Sequence, residues 1–255
     1  MRGAPAGDFD YEKGGADYSA IRRPEPRFAR AIRDALGDAS SLINVGAGAG
    51  SYEPDDLVVT PVEPSASMRA QRPPHLAPAL DAVAEDLPFP DKSFDAALAS
   101  VTVHQWNDLG GGLAELRRVT KGPVVIMTFD PISLRKFWLA DYAPLMMERE
   151  SGRMPDLDQL AAHLGGNVQI DELSIPADCA DGFAEAYFAR PEAFLDARVR
   201  RSQSAWGFID RQEERRSVER LRTALEDGSW DRRFGGLRTS SEYSGSLRLV
   251  VALPS

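Results

Sequence analysis

Three groups of residues in this chain could do chemistry together. The apolar run Leu42-Ile43-Asn44-Val45 ends in Gly46-Ala47-Gly48-Ala49-Gly50. A second apolar run, Val58-Val59-Thr60-Pro61-Val62, ends in a lone acid, Glu63, 13 residues after Gly50. Glycines let a backbone turn sharply out of a strand and come close to a ligand. A carboxylate at the end of the next strand can accept both hydroxyls of a ribose. Together, this spacing points to a nucleoside cofactor. The third group is Ser100-Val101-Thr102-Val103-His104-Gln105-Trp106. His104 is the candidate base, because an ordinary imidazole titrates near pH ~6.5 and can take a proton at neutral pH. The competing role for His104 is to shape the pocket or bond the cofactor.

Trp106, Trp138 and Tyr142 are candidates for an aromatic wall around an acceptor, packing being the alternative for residues that bury so much area. Cys179, in Ala177-Asp178-Cys179-Ala180-Asp181, reads as a packed or surface thiol, since no histidine adjoins it. His75, His104 and His163 are scattered, without the spacing of metal ligands, so no metal is expected. Asp130 reads as a loop or cap residue, with a substrate contact as the alternative.

These residues need strands to present them. The sequence predicts seven: Ser41–Val45, Leu57–Val62, Ala79–Ala84, Phe94–Ser100, Pro123–Phe129, Val168–Ile175 and Gly245–Leu253. Val124-Val125-Ile126-Met127 is apolar on both faces, as a covered parallel strand must be. Phe28, Ile32, Ala35 and Leu36 recur at helical spacing before Gly37, and Leu113, Leu116 and Val119 mark the inner face of a helix over Leu109–Thr120. Strand and helix alternate, which gives an open, twisted βαβ architecture of the α/β class. Residues 130–156 and 177–238 read as mainly helical and aromatic, and 157–164 as a short helix ended by Gly165-Gly166. Ligands of such sheets bind at the carboxyl ends of the strands. Residues 130–155 and parts of 176–240 are therefore expected to fold over that edge as a lid. The division expected is an arm over the cofactor (1–23), a cofactor-binding core (24–129), and a region (130–255) of lid helices with the last two strands of the same sheet.

Composition excludes several classes. The chain has 255 residues, 43% of them hydrophobic, enough for one sizeable core. Its net charge of −9 argues against a nucleic-acid partner, which needs clustered cations. The basic clusters Arg198-Val199-Arg200-Arg201 and Arg215-Arg216 read as solvated helix faces, with a phosphate or carboxylate contact as the alternative. No apolar run is long enough to span a bilayer, so no membrane partner is expected. Met1–Asp10 lacks an apolar segment, so no signal peptide is expected. One cysteine excludes an internal disulfide. A cytoplasmic protein with a small-molecule substrate fits best, and a homodimer stays open as its assembly.

The chain resembles the class I S-adenosylmethionine-dependent methyltransferases, in particular the small-molecule "methyltransferase domain 11" and trans-aconitate-methyltransferase-like groups. Ile43–Gly50 is similar to the first motif of that family, and Val62-Glu63-Pro64-Ser65 with Met68 to its second. Ala84-Glu85-Asp86-Leu87-Pro88-Phe89-Pro90-Asp91-Lys92-Ser93-Phe94-Asp95 is similar to the third, and Leu113–Val119 to the helix before the fifth strand. The resemblance implies a Rossmann-like, seven-stranded, mostly parallel sheet whose last strand is antiparallel. It implies S-adenosylmethionine as cofactor and S-adenosylhomocysteine as product. Gly46, Ala47, Gly48 and Gly50 would then pass under the methionine part. Glu63 would hold the ribose, and Pro64, Ser65 and Met68 would line the adenine side. Ala84 and Glu85 would meet the adenine edge, and Ser100 would sit near the departing methyl. Tyr18 and Arg22 or Arg23, with Arg23 preferred, would close the amino-acid end. Two positions depart from the family: Asn44 stands where an acid is usual, and Val83 where many members have Asp.

The expected reaction is methyl transfer to a small acceptor, on a carboxylate or hydroxyl oxygen, mainly by positioning. Two rival readings compete with this one. A nicotinamide-dependent oxidoreductase would want G-x-G-x-x-G, but Ser51 fills the last slot and no Tyr-x-x-x-Lys pair is present. A non-catalytic module that binds the cofactor is the other, motivated by Asn44.

Overall fold

The computed structural model describes residues 22–254. Its centre is a six-stranded sheet of β1 (Ser41–Val45), β2 (Val58–Val62), β3 (Ala96–Ser100), β4 (Val124–Phe129), β5 (Asn167–Glu172) and β8 (Leu247–Leu253). The order across it is β2-β1-β3-β4-β8-β5. The first four strands pair in parallel, and β8 runs antiparallel to both β4 and β5. A separate two-stranded piece joins β6 (Ile175–Pro176) to β7 (Glu242–Tyr243).

The expected third strand, 79–84, is reduced to one parallel bridge between Leu80 and Val62. Leu80 donates to the Pro61 carbonyl and Glu63 donates back to Leu80, each at 2.9 Å. The segment follows Pro73, Pro74 and Pro78, and Leu80 and Val83 are exposed at 43% and 38%. A stretch with so little to bury gains little by lengthening the ladder. The sheet therefore has six strands rather than seven, with the parallel-plus-antiparallel pattern as expected. The expected strand 168–175 also divides: residues 167–172 stay in the main sheet while Ile175 and Pro176 leave it for Glu242–Tyr243.

Side chains alternate between two cores, following the period of two in a strand. Leu42, Leu98, Val125 and Met127 face one side, with Phe28 and Ile32 of helix α1 (Pro26–Ala35) and most of the aromatic second half. Ile43, Val45, Ala97, Ala99 and Ile126 face the other, under α2 (Leu109–Val119) and α3 (Leu157–Leu164). Leu113, Leu116 and Val119 are fully buried, as their spacing predicts.

The second half is less helical than its sequence suggests. Between 177 and 210 the chain is short 3₁₀ turns and a five-residue helix, Ala197–Arg201; the long helix is Arg211–Glu226. The aromatic residues there bury area without helical periodicity. Phe194 and Trp230 each meet Trp138 edge to face. No helix among the described residues is long and apolar enough to cross a membrane.

Candidate active site

The first cavity opens where β1, β2 and β3 end. Gly46 turns the chain at φ +71°, and Gly46 and Ala47 donate to the Val62 carbonyl at 2.9 and 3.0 Å. A β-carbon at Gly46 would overlap the Thr102 side chain, so space and backbone angle both demand glycine. Gly48, at φ +51°, donates to Glu63 Oε2 at 2.9 Å; Ser65 N donates to Glu63 Oε1 at 2.8 Å. The carboxylate is thus fixed at the strand end and is 8% exposed. Burial pushes its pKa up, against the pull of the two backbone donors.

Ser65 also caps the helix Ala66–Ala70 by accepting from Met68 N at 3.3 Å, which places Met68 beside Gly48. Gly46, Ala47 and Gly48 line the cavity, as do Glu63, Pro64 and Met68. Ala84, Glu85, Ser100 and Trp106 line it from the other side. The cavity is about 1030 Å³, part of it open to solvent. Gly50 does not reach it. It turns at φ +98°, where a β-carbon would overlap Leu76, and it donates to Ala47 at 2.9 Å to close the loop. Ser65 serves the site through Glu63 and Met68 rather than as wall.

Asn44 replaces an acid but not the local charge. It is 1% exposed, and its Nδ2 donates to Glu53 Oε1 at 3.0 Å. Arg72 meets Glu53 at 2.8 Å, both side chains nearly sealed from solvent, and reaches the Gly48 carbonyl at 3.3 Å. The carboxylate therefore sits one residue removed and paired with an arginine. Asn44 Oδ1 has no partner among the described residues, and Asn44 lines the cavity. A buried acceptor left open is costly unless a ligand donor meets it. The glycine turn, Glu63 and this acceptor fit a nucleoside carrying a cationic amino-acid tail.

A second cavity of about 590 Å³, also partly open, lies beside the first. Its apolar wall is Val101, Phe129, Leu134, Met146, Met147 and Phe183; Arg22, Val101 and Gln105 line both cavities. Val101 stands at the junction with φ +51°, a strained conformation for a β-branched residue, and donates to the Met127 carbonyl at 2.7 Å. His104 faces this second cavity rather than the first. Glu185 borders it too, 0% exposed, accepting from Ser246 Oγ at 2.6 Å. Burial raises its pKa to about 7, against the Ser246 hydrogen bonds.

Arg23 is exposed and lines neither cavity. Arg22, its neighbour, takes the inward place because Asp181 draws it in at 2.6 Å, and Tyr52 donates to the same carboxylate at 2.9 Å. Successive side chains of an extended chain point opposite ways, so only one of the pair can face inward. Tyr18 lies outside the described residues. Of the expected aromatic wall, Trp106 lines the first cavity and not the second. Trp138 is 3% exposed and donates to the Phe188 carbonyl at 2.9 Å, and Tyr142 packs edge-on against it. Neither lines either cavity, because the stripe they belong to packs the helices Arg211–Glu226 and Ser229–Phe234 onto the sheet.

Cys179 is packed, and burial raises its thiol to about 12. Asp130 caps the helix Pro131–Leu134 by accepting from Ile132 N at 2.9 Å. Among the described residues no group of three or more His, Cys, Asp or Glu could hold a metal. The sequence reading assigns Thr102 and Gln105 no role of their own within the run that holds His104, and it shows no sign of Gln203. Thr102 fills the space above Gly46, and its position after a strand end carries no local signal.

Residues 43–126 match a family model described as a methyltransferase domain. A candidate methyltransferase of an antibiotic biosynthesis pathway from Anabaena variabilis is 30% identical, with a TM-score of 0.84 over 91% of this chain and 98% of its own. An S-adenosylmethionine-dependent methyltransferase from Thermotoga maritima is 14% identical with a TM-score of 0.54, over 96% of this chain and 95% of its own, a likeness of fold alone. The uncharacterized protein YafE of Escherichia coli is 28% identical over 129 residues, 48% of this chain; the match spans 61% of that relative's length. The chain belongs to the class I S-adenosylmethionine-dependent methyltransferases.

Proposed function

We propose that this chain methylates an oxygen of a small organic acceptor, a hydroxyl or a carboxylate, bound in the second cavity. The observation that carries this reading is the pair of cavities meeting at Arg22, Val101 and Gln105, one bordered by the glycine turn and Glu63, the other apolar and faced by His104. S-adenosylmethionine, when bound, supplies a methyl group on a sulfonium that is already strongly electrophilic. What remains for the protein is to hold, align and desolvate. Glu63 would hold the ribose. Pro64 and Met68 would flank the adenine, with Ala84 and Glu85 at its edge. Gly46, Ala47 and Gly48 would give the backbone that passes under the tail, and Asn44 Oδ1 would accept from it. Ser100 would stand near the reacting methyl, and Arg22 would close the far end in place of Arg23.

Residues 130–155 and parts of 176–240 are read as the lid, which supplies most of the apolar wall and keeps water from the acceptor. His104 is the group placed to take the proton of an acceptor hydroxyl on a ring nitrogen. The Anabaena relative's place in an antibiotic pathway supports a small organic acceptor. The charge of −9 supports the exclusion of nucleic acid, and one cysteine suits a cytoplasmic setting.

The test is methyl transfer from labelled S-adenosylmethionine to a panel of aromatic and aliphatic hydroxyls and carboxylates. Labelled ether or ester product supports oxygen transfer. Product methylated only at nitrogen or carbon contradicts it. In His104→Asn, kcat should fall by about a hundredfold with KM nearly unchanged.

A further inference from the structure

We propose that the second cavity selects an uncharged, largely apolar acceptor that carries a hydroxyl, other than the oxygen that is methylated, donating to Gln203 Oε1, and that it disfavours carboxylates. This deepens the proposed function and rests on it.

Gln203 is 6% exposed and lines the cavity. Its Nε2 donates to the Gly182 carbonyl at 3.1 Å, which fixes the sense of the amide. Oε1 is left as a buried acceptor with no partner among the described residues. Such an oxygen asks for a donor. A hydroxyl supplies one, whereas a carboxylate would set oxygen against oxygen. The rest of the lining points the same way. Phe129, Leu134, Met146 and Met147 give an apolar wall, and methionines adapt to varied apolar shapes. Arg22, the cation among the described lining residues, is already bonded to Asp181 at 2.6 Å. Glu150 and Glu185 also border the space, and Glu150 is paired with Arg153 at 2.6 Å. An entering anion would meet the open carbonyl of Gln203, and would find a guanidinium whose charge is already answered by Asp181.

The experiment uses the full chain saturated with S-adenosylhomocysteine, whose binding is measured first. Three probes of one shape are then titrated by calorimetry: β-naphthol, β-naphthoate and β-methoxynaphthalene. β-Naphthol should bind at least about tenfold tighter than either of the others. The near-isosteric Gln203→Met should abolish the advantage of naphthol over the methyl ether while S-adenosylhomocysteine affinity stays within about twofold. A tighter naphthoate overturns the proposal, as does a naphthol preference that survives in Gln203→Met. So does a chain that holds S-adenosylhomocysteine but none of the three probes. The ranking in the unmodified chain decides the matter even where the variant does not fold. Failure to bind S-adenosylhomocysteine at all overturns the proposed function instead, and the first titration separates that outcome from the others.

Discussion

Glu63 does two things at once. It pins the glycine turn through Gly48 N and Ser65 N, and it keeps lone pairs for a ligand beyond them. Glu63→Ala should therefore weaken S-adenosylhomocysteine binding by at least about tenfold, measured by calorimetry, because it would remove the proposed ribose contact and free the turn. The burial that raises its pKa gives a second prediction. Only the ionised carboxylate accepts hydroxyl donors with both oxygens. Affinity should fall as pH is lowered through the raised pKa, so the loss begins at a higher pH than an ordinary glutamate would give. In Glu63→Gln this part of the pH dependence should vanish. At this scale the sequence was legible where chemistry is local. Gly46, Gly48, Glu63 and Met68 lie within one strand-turn-strand-helix unit, so their spacing carries their placement. The choice of Arg22 over Arg23 was not legible, because it is made by Asp181, far along the chain. Nor was Gln203, which reaches the cavity from a segment without periodicity.

At the scale of elements, two motifs that looked separate form one structure. The loop 84–95 is held on α2 by Arg118, which donates to the carbonyls of Leu87 and Phe89 and pairs with Asp91. Glu115 accepts from Leu87 N at 3.0 Å and pairs with Arg118 at 2.6 Å. Phe89 packs edge-on against Phe94 at 5.0 Å. Asp95 then ties the start of β3 to β1, accepting from the backbone and hydroxyls of Ser40 and Ser41, which holds its carboxyl well below the usual range. These contacts place Ala84 and Glu85 at the cavity. The glycine turn is as tightly specified. Gly46→Ala must adopt φ +71° against Thr102, and should cost about 2 kcal/mol or more in chemical unfolding as well as cofactor affinity. Strand existence was legible from apolar runs, because both faces are buried. The missing third strand was not. Its alternating residues resemble a strand, but it lies outside β2 at the sheet's end, where little covers it.

For the whole molecule, the sheet supplies one cavity and the aromatic second half most of the other. That half was legible as apolar and aromatic but not in its turns, since packing rather than periodicity shapes 177–210. Trp138 shows the consequence: an aromatic residue expected at a ligand instead fixes the layer that surrounds it. Glu185 belongs to this layer, bonded to Ser246 just ahead of β8. Its folded pKa is raised from 4.5 to about 7, so the folded chain holds this proton more tightly than the unfolded chain does. Stability should thus decline as pH rises from the unfolded value toward about 7 and level off above it, by up to a few kcal/mol. Glu185→Gln should flatten that decline in urea unfolding followed across pH. An unchanged slope would assign the dependence to other groups.

Calorimetric titration of the chain with S-adenosylmethionine and S-adenosylhomocysteine, with NADH and NADPH as controls, tests the central claim most directly. The account predicts binding of the two sulfur nucleosides alone, lost in Glu63→Ala. Failure of both to bind, binding of a nicotinamide nucleotide in their place, or binding unchanged in Glu63→Ala would contradict it.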